Sequence, residues 1–298
     1  MLGGSDERQR LRTERSRRAV AAAMALARRR GLRVEEPTVL ADLFSVMVHL
    51  RPAPVVARVS TWTSKVRSPI AEWLAREIDV TSYLSGQGAP VVAPSRELPP
   101  GPHTQDGFAI SFWTYLQPDP GRTPSAADCS AMLVDLHAGL RSYPGELPTL
   151  APAVNDIPVG LAALDRVGDA LDRAEVDRLH AAHERLRQFL GAPGGDLQPL
   201  HGDVHPNNII ATREGLVWID FEDVSRGPAG WDLALLSWID AEAVAAHHRP
   251  DPEVLAQCSD LRALHLALCL IAFRDDFGDL ADWDKSIRSF LGMISPAS

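Results

Sequence analysis

The sequence predicts an α+β (α/β) protein in two lobes, a small one of mixed α and β structure followed by a larger, mainly helical one. Three observations predict it. Residues 36–61 are rich in β-branched side chains and are broken by Pro52 and Pro54, the mark of short antiparallel strands. The segment QPDPGRTP, residues 117–124, holds three prolines and a glycine and reads as a linker. Beyond it helical patterns dominate, as in SAADCSAMLVDLHAGLRSY, EVDRLHAAHERLRQFL and WDLALLSWIDAEAVAAHH. The expected divisions are a basic N-terminal helix over 1–34, a small lobe over 35–117 and a helical lobe over 118–298.

In chain order, residues 1–33 carry ten arginines against Asp6, Glu7 and Glu14. The stretch superficially resembles a secretory leader, but its apolar part, Ala19 to Ala27, is little more than alanine and runs into three arginines. An Arg/Ala amphipathic helix is the expectation, not a leader. Residues 36–61 then give two or three strands. A helix follows from Pro69 to about Ser85, with Ser68 as N-cap, Pro69 in the first turn and Gly86 and Gly88 as the stop. Ile70, Trp73, Leu74, Ile78 and Leu84 form its apolar stripe. APVVAPS and GFAISFWTYL read as two more strands. Inside the helical lobe, LQPL leads to a polar loop, then IIAT, a turn and LVWIDF, which together read as a loop and a hairpin.

Composition narrows the function. Of the net charge of −9, residues 1–33 contribute +7 and the remainder −16. An acidic body argues against nucleic acid as partner. It suits a cationic small molecule, or it is simply a solubility surface. The three scattered cysteines, Cys129, Cys258 and Cys269, show no paired spacing, so a reducing, cytoplasmic setting is expected rather than a disulfide framework or zinc site. The most apolar run, LHLALCLIAF, is short, carries His265 and reads as a buried helix rather than a membrane span. Oligomeric state is not legible.

The polar loop LHGDVHPNNII, residues 200–210, concentrates more chemistry than a turn needs. One reading is a metal site on His201, Asp203 and His205, but Gly202, Pro206 and the paired asparagines make the segment a loop, and no second His/Asp cluster supports it. A plain polar turn is another. Phosphoryl transfer is the third, and it accounts for most of these residues. That chemistry needs a carboxylate near the attacking hydroxyl, oxygen ligands for Mg²⁺ and positive charge on the phosphates. Asp203 is followed five residues later by Asn208, and Asp220-Phe221-Glu222 closes the hairpin. The hairpin would bring Asp220 back beside Asn208, two hard oxygen donors for one ion.

HGDVHPNN, VWIDFEDV and GPAGWDLALL, in that order and spacing, resemble the aminoglycoside phosphotransferase/choline kinase superfamily, which has a protein-kinase-like fold. The strong match covers residues 200–236. The resemblance implies Asp203 as catalytic base or orienting group, Asn208 and Asp220 as Mg²⁺ ligands, and His201 as a loop brace. His205 is a second brace or a surface histidine. Glu222 approaches metal or substrate, or is solvated. Asp232 caps its helix and steadies the loop. ATP, with GTP as the other candidate, would supply the phosphate.

The small lobe would hold that nucleotide. Only Lys65 and Lys285 occur in the chain, and VVAR puts Arg58 where the family's strand lysine belongs. Arginine keeps the charge and can clamp phosphate with two bonds. Glu77, in the following helix, would hold it, and each of the two has a solvated surface role as its alternative. FWTYLQ resembles a kinase hinge, with adenine bonded to backbone near Thr114 and Leu116. LADLFSVMVHLRPAP contains no glycine, so the usual phosphate-cradling loop is missing, and Ser45 is the one hydroxyl there. That gap supports a pseudo-enzyme as the alternative; a kinase for an amino alcohol or sugar is another. Asp275, Asp276, Asp279, Asp282 and Asp284 would select an aminated acceptor if they line the cleft, and form an ordinary solvated face if they do not. Trp231, Trp238 and Trp283 stack on substrate or belong to the core.

Overall fold

The computed structural model describes residues 3–296, and the chain packs as two compact units. One comprises the chain up to Pro124 together with 207–222; the other comprises 125–206 and 223–298. In order, the elements are α1 (Gly3–Arg29), β1 (Val34–Asp42), β2 (Ser45–Pro52), β3 (Val55–Ser60), α2 (Ile70–Gly86), β4 (His103–Gln105), β5 (Phe108–Thr114), α3 (Ala126–Arg141), α4 (Ala151–Ala163) and α5 (Arg173–Gly191). Then come β6 (Leu197–Leu200), β7 (Ile209–Ala211), β8 (Leu216–Trp218), β9 (Ser225–Pro228), α6 (Gly230–Ile239), α7 (Ala241–His247), α8 (Pro252–Ala272), α9 (Arg274–Phe277) and α10 (Trp283–Met293).

The first unit is built on an antiparallel sheet of order β1-β2-β3-β5-β4. Strand alternation sorts β3 between its two faces. Val55, Ala57 and Val59 join Val46, Val48, Leu50, Ile110 and Phe112 in one core, and the alanine stripe of α1 closes that core through Ala19, Ala22, Ala23 and Ala27. Val56 belongs to a second cluster with Ile78, Val92 and Trp113. Arg58, two residues on from Val56, shares that second face. The Arg-rich helix is therefore part of the fold. Its small side chains cover the back of the sheet, while Arg15 and Arg18 lie over the ring of Phe108. A chain lacking residues 1–30 exposes several side chains whose burial is worth roughly 1.5–3 kcal/mol each. It is expected to aggregate or to melt far below the full chain in circular dichroism, and a soluble truncation with an unchanged melt would refute this role for α1.

α2 matches the expected helix, but Ser68 does not cap it. Pro69 occupies the N-cap position with no side-chain bond, and the helix includes Gly86. APVVAPS is not a strand. Pro90 and Pro94 interrupt it, and only isolated bridges form, Val91 to Trp218 and Pro94 to Trp113. These tie the β7–β8 hairpin to the first unit rather than to the helical part where the sequence places it. Trp218 N–H donates to the Pro90 carbonyl and the Trp218 carbonyl accepts from Val92, both at 2.8 Å.

The second unit centres on α8. This helix is long and apolar enough by composition to cross a membrane, a property the apolar run LHLALCLIAF alone understates, yet Leu261, Leu264, Ala267 and Leu268 are buried in the unit's core. Gly160 lets α4 approach closely, since a Cβ there would lie 2.4 Å from the Leu268 carbonyl oxygen. β6 pairs with β9, an unforeseen two-stranded ladder that holds the start of the polar loop.

Candidate active site

In the first unit, Arg58 is the hub. Its guanidinium, 5% exposed, donates to Glu77 Oε1 at 3.0 Å and to Asp220 Oδ1 at 2.7 Å, and it also pairs with Glu222. Glu77 comes from α2 and is buried. Burial pushes its carboxyl up to about 8, with Arg58 pulling the other way and the charges of Asp220 and Glu222 adding to the rise. Asp220 is held after β8 in a left-handed conformation, φ +63°, which aspartate tolerates better than most residues. Glu222 is not a solvated acid. Its other oxygen accepts from Arg67 Nη1 at 2.9 Å, and Arg67 lies over the Trp73 ring at 4.6 Å. Sequence reasoning does not single out Arg67. The available signal is a charge count: Glu77, Asp220 and Glu222 are too many carboxylates for Arg58 alone.

These groups form the polar end of a cavity of about 580 Å³ whose other walls are apolar, including Met47, Val56, Trp113, Leu116 and Ile219. Asn208 lines it beside Asp220. The Asn208 carbonyl also accepts from Ile219 N–H at 2.9 Å, which fixes the approach of hairpin and loop. Three buried atoms of residues lining the cavity, Ser45 Oγ, Arg58 Nε and Glu77 Oε2, have no partner. Unpaired buried polar atoms are costly and point to an absent ligand. Thr114 and Leu116 line the cavity. Thr114 N–H is taken by the Ala93 carbonyl and Tyr115 N–H by that of Pro54, so Thr114 has only its carbonyl left for a base. Leu116 N–H has no backbone acceptor among the described residues. Where a glycine loop would lie, the chain makes a tight hairpin tip whose Phe44 carbonyl accepts from Trp62 N–H and Thr61 Oγ1.

No group of three or more His, Cys, Asp or Glu among the described residues is placed to hold a metal ion. The donor chemistry still fits Mg²⁺. That ion commonly takes one or two protein oxygens and fills its remaining positions with water and phosphate. Asp220 Oδ2 and the Asn208 amide oxygen are such donors, in a cluster with more carboxylates than guanidinium groups.

In the second unit, the polar loop is fixed from several sides. Asp232, 1% exposed, accepts from His201 N–H at 3.0 Å, from Gly202 N–H at 2.8 Å and from His137 Nε2 at 2.8 Å. It does not cap α6; that helix begins after Ala229 with no side-chain cap. His137 and the neighbouring histidine charge hold Asp232 below the usual carboxylate range, against the effect of burial. His201 is fully buried and its Nδ1 accepts from Asp203 N–H at 3.3 Å. Gly202 adopts φ +93°, and a Cβ there would sit 2.1 Å from the Asp223 carbonyl oxygen. Gly202→Ala is therefore expected to displace the loop and to remove turnover while α-helix content by circular dichroism is kept; an alanine variant with normal turnover would show that the loop has room to move.

Asp203 is partly exposed. One oxygen pairs with Arg262 of α8, the other with His205 Nε2 at 3.1 Å. Burial opposes its charged form, yet the His205 bond and the Arg262 charge hold it well below the usual carboxylate range. Arg262 is a second residue that sequence reasoning misses. The clue is an arginine inside the apolar face of LRALHLALCL, since a cation buried there must have a partner.

The acidic segment is less free than expected. Asp284 is held by Arg274 at 2.9 and 3.0 Å, Asp275 by Arg166 at 3.5 Å and Asp282 by Lys285 at 3.7 Å. Trp231 and Trp283 serve the core, and Trp238 is half-buried. Trp231 is fully buried with Nε1 on the Gly202 carbonyl, Trp283 stacks on Phe277, and Trp238 Nε1 donates to Ser259 Oγ.

The model of the phosphotransferase enzyme family matches residues 55–249, a span that begins with β3 and includes Arg58, Glu77, Asp203, Asn208, Asp220, Glu222 and Asp232, while Arg262 lies beyond it. The chain belongs to that family. It is an enzyme of the phosphotransferase class, and its fold is that of kinases for small molecules. The choline kinase LicA from Streptococcus pneumoniae is 15% identical with a TM-score of 0.61, over 90% of this chain and 97% of that one. The amicoumacin kinase hAmiN, solved with AMP-PNP, Ca²⁺ and Ami, is 15% identical with a TM-score of 0.62, over 90% and 93%. The GDP and kanamycin complex of APH(2″)-IIia is 17% identical with a TM-score of 0.63, over 91% and 96%. No curated protein matches at the level of sequence.

Proposed function

We propose that the chain transfers the γ-phosphate of ATP, as its Mg²⁺ complex, to a hydroxyl of a small aminated molecule of the aminoglycoside or amino-alcohol kind. The observation that carries this is the cavity of the first unit. An apolar slot leads to a buried guanidinium ringed by Glu77, Asp220 and Glu222, with Asn208 beside them. A purine fits the first part and a metal-bound triphosphate the second.

Roles follow from the chemistry. Leu116 N–H and the Thr114 carbonyl would hold the base. One donor and one acceptor serve adenine or guanine, so GTP is tested beside ATP. Arg58 would neutralise phosphate charge, with Glu77 holding it in place. Asn208 and Asp220 would ligate the ion, and bound Mg²⁺ would supply charge to the phosphate oxygens. Asp203 would orient the acceptor hydroxyl and receive its proton, while His201 and Asp232 keep the loop rigid. Ser45, its hydroxyl unpartnered, is the side chain available for phosphate where glycine amides are missing. The acceptor's amines find support in the acidic body and in kanamycin and choline as ligands of proteins with this fold; the pairing of Asp275, Asp282 and Asp284 limits how strongly that segment alone would attract a cation.

The test is ADP or GDP release on a panel of aminoglycosides, amino alcohols and sugars, with and without a chelator. Release with one acceptor class, abolished by EDTA and restored by excess Mg²⁺, is expected. Absence of release together with absence of nucleotide binding would sink the reading; binding without release from any acceptor would favour a pseudo-enzyme.

A further inference from the structure

α8 places one cation in the second unit's core. Arg262 is 1% exposed, flanked by buried Leu261 and Ala263. Its Nη1 donates to the Gly202 carbonyl at 2.7 Å, its Nη2 pairs with Asp203 Oδ1, and its guanidinium lies over the Trp231 ring at 4.8 Å. A buried guanidinium is costly unless its donors are used. A contact to Gly202 alone would be a loop brace, and Trp231 Nε1 already supplies one at 3.0 Å. The second arm of Arg262 does something else, because it reaches the side chain of Asp203.

We infer that Arg262 is a positioning residue for Asp203, gripping the Gly202 carbonyl and the Asp203 carboxylate together so that the base presents one fixed direction to its acceptor. This rests on the phosphotransferase reading. The planar fork of arginine suits that role, since two parallel donors fix an angle as well as a distance. His205 takes the other oxygen of Asp203, so the carboxylate is held from two sides. Asp223 packs against Gly202, and several other titratable groups nearby are engaged elsewhere. His201 faces the Asp203 amide, Asp232 faces the loop amides with His137 behind it, and His265 on α8 pairs with Asp156 at 3.0 Å. A permanent cation beside the base weakens it as a base. Phosphoryl transfer through a loose transition state tolerates that, because it depends on alignment more than on basicity.

The experiment compares Arg262→Met and Arg262→Lys, each alone and in an Asp203→Asn background. Arg262→Met should lower kcat by about 10–100-fold, the scale of a lost alignment, with the nucleotide KM within about twofold of normal. Its acid limb in kcat/KM should move to higher pH, because the cation that favours ionised Asp203 is gone. Arg262→Lys keeps the charge, so its acid limb should stay near that of the parent while kcat recovers only in part. With Asp203 already replaced, Arg262→Met should cost less than about threefold further, since residues acting as one unit are non-additive. Equal losses in both backgrounds, or an unmoved acid limb in Arg262→Met, would overturn the inference. If Arg262→Met does not fold, a wild-type kcat in Arg262→Lys does so. A carboxyl ¹³C titration of Asp203, assigned against Asp203→Asn, needs no acceptor. A wild-type protein without turnover but with a titration that rises in Arg262→Met would refute the phosphotransferase reading alone, whereas turnover with a titration unchanged in Arg262→Met would refute the role of Arg262 alone.

Discussion

Asp203→Asn lowers kcat by about 10²–10⁴-fold, the usual contribution of a positioned general base, and leaves nucleotide affinity nearly unchanged. The change removes the proton acceptor but keeps the side chain's size. The proposed nucleotide contacts, Arg58, Thr114, Leu116, Asn208 and Asp220, all line the cavity of the first unit, whereas Asp203 belongs to the second and does not line that cavity. A side effect is expected in stability. Arg262, 1% exposed, loses its charged partner and keeps the Gly202 carbonyl and the Trp231 ring, so the variant should melt somewhat lower. Turnover lowered on that scale with an intact nucleotide titration, read by fluorescence or calorimetry, is the expected pair of results. Turnover within about threefold of normal would remove Asp203 from the chemistry.

Arg58→Met is the second large effect, and it acts on stability and binding together. Arg58 is the shared partner of Glu77, Asp220 and Glu222. Without it Glu77 loses the cation it is paired with, while Glu222 still has Arg67. Breaking a buried pair by removing one member typically costs about 3–5 kcal/mol, a large part of a typical stability of about 5–15 kcal/mol. The variant should melt well below the parent and bind nucleotide far more weakly. Arg58→Lys keeps the charge but cannot span three carboxylates, so it should fall between the two in both measurements. An Arg58→Met protein with normal melting and normal nucleotide affinity would mean that the cluster is neither a support of the fold nor a phosphate site.

Much of the site is legible in the sequence because phosphoryl transfer constrains both residue type and spacing. The Asp203, Asn208 and Asp220 series, Arg58 in its strand and Glu77 in the next helix can each be placed from the chain alone, and the structure brings Arg58, Glu77, Asp220 and Glu222 together. Arg67 and Arg262 are not legible as partners. Each is one charged residue whose counter-ion lies 155 or 59 positions away, and no local pattern announces such a pair. The acidic segment misleads for the opposite reason. Its carboxylates are obvious, while Arg166, Arg274 and Lys285 look like ordinary surface cations. In the fold, β2 is readable from its alternation and β3 from its run of valines. β6 and β9 are not, since four-residue strands containing Pro199, Gly227 and Pro228 carry no period. The proline-broken stretch 89–95 looks like a strand by composition, yet it makes only bridges.

The most direct measurement follows the γ-phosphate itself. Purified protein is given γ-³²P-labelled ATP or GTP with Mg²⁺ and each acceptor in turn, and the label is traced by chromatography and mass spectrometry. Label is expected on a hydroxyl of one acceptor class, in equal amount to the nucleoside diphosphate formed, and at a rate about 10²–10⁴-fold lower with Asp203→Asn. Label appearing only as inorganic phosphate, whatever the acceptor, would contradict it, because water and not a small-molecule hydroxyl would then be the substrate.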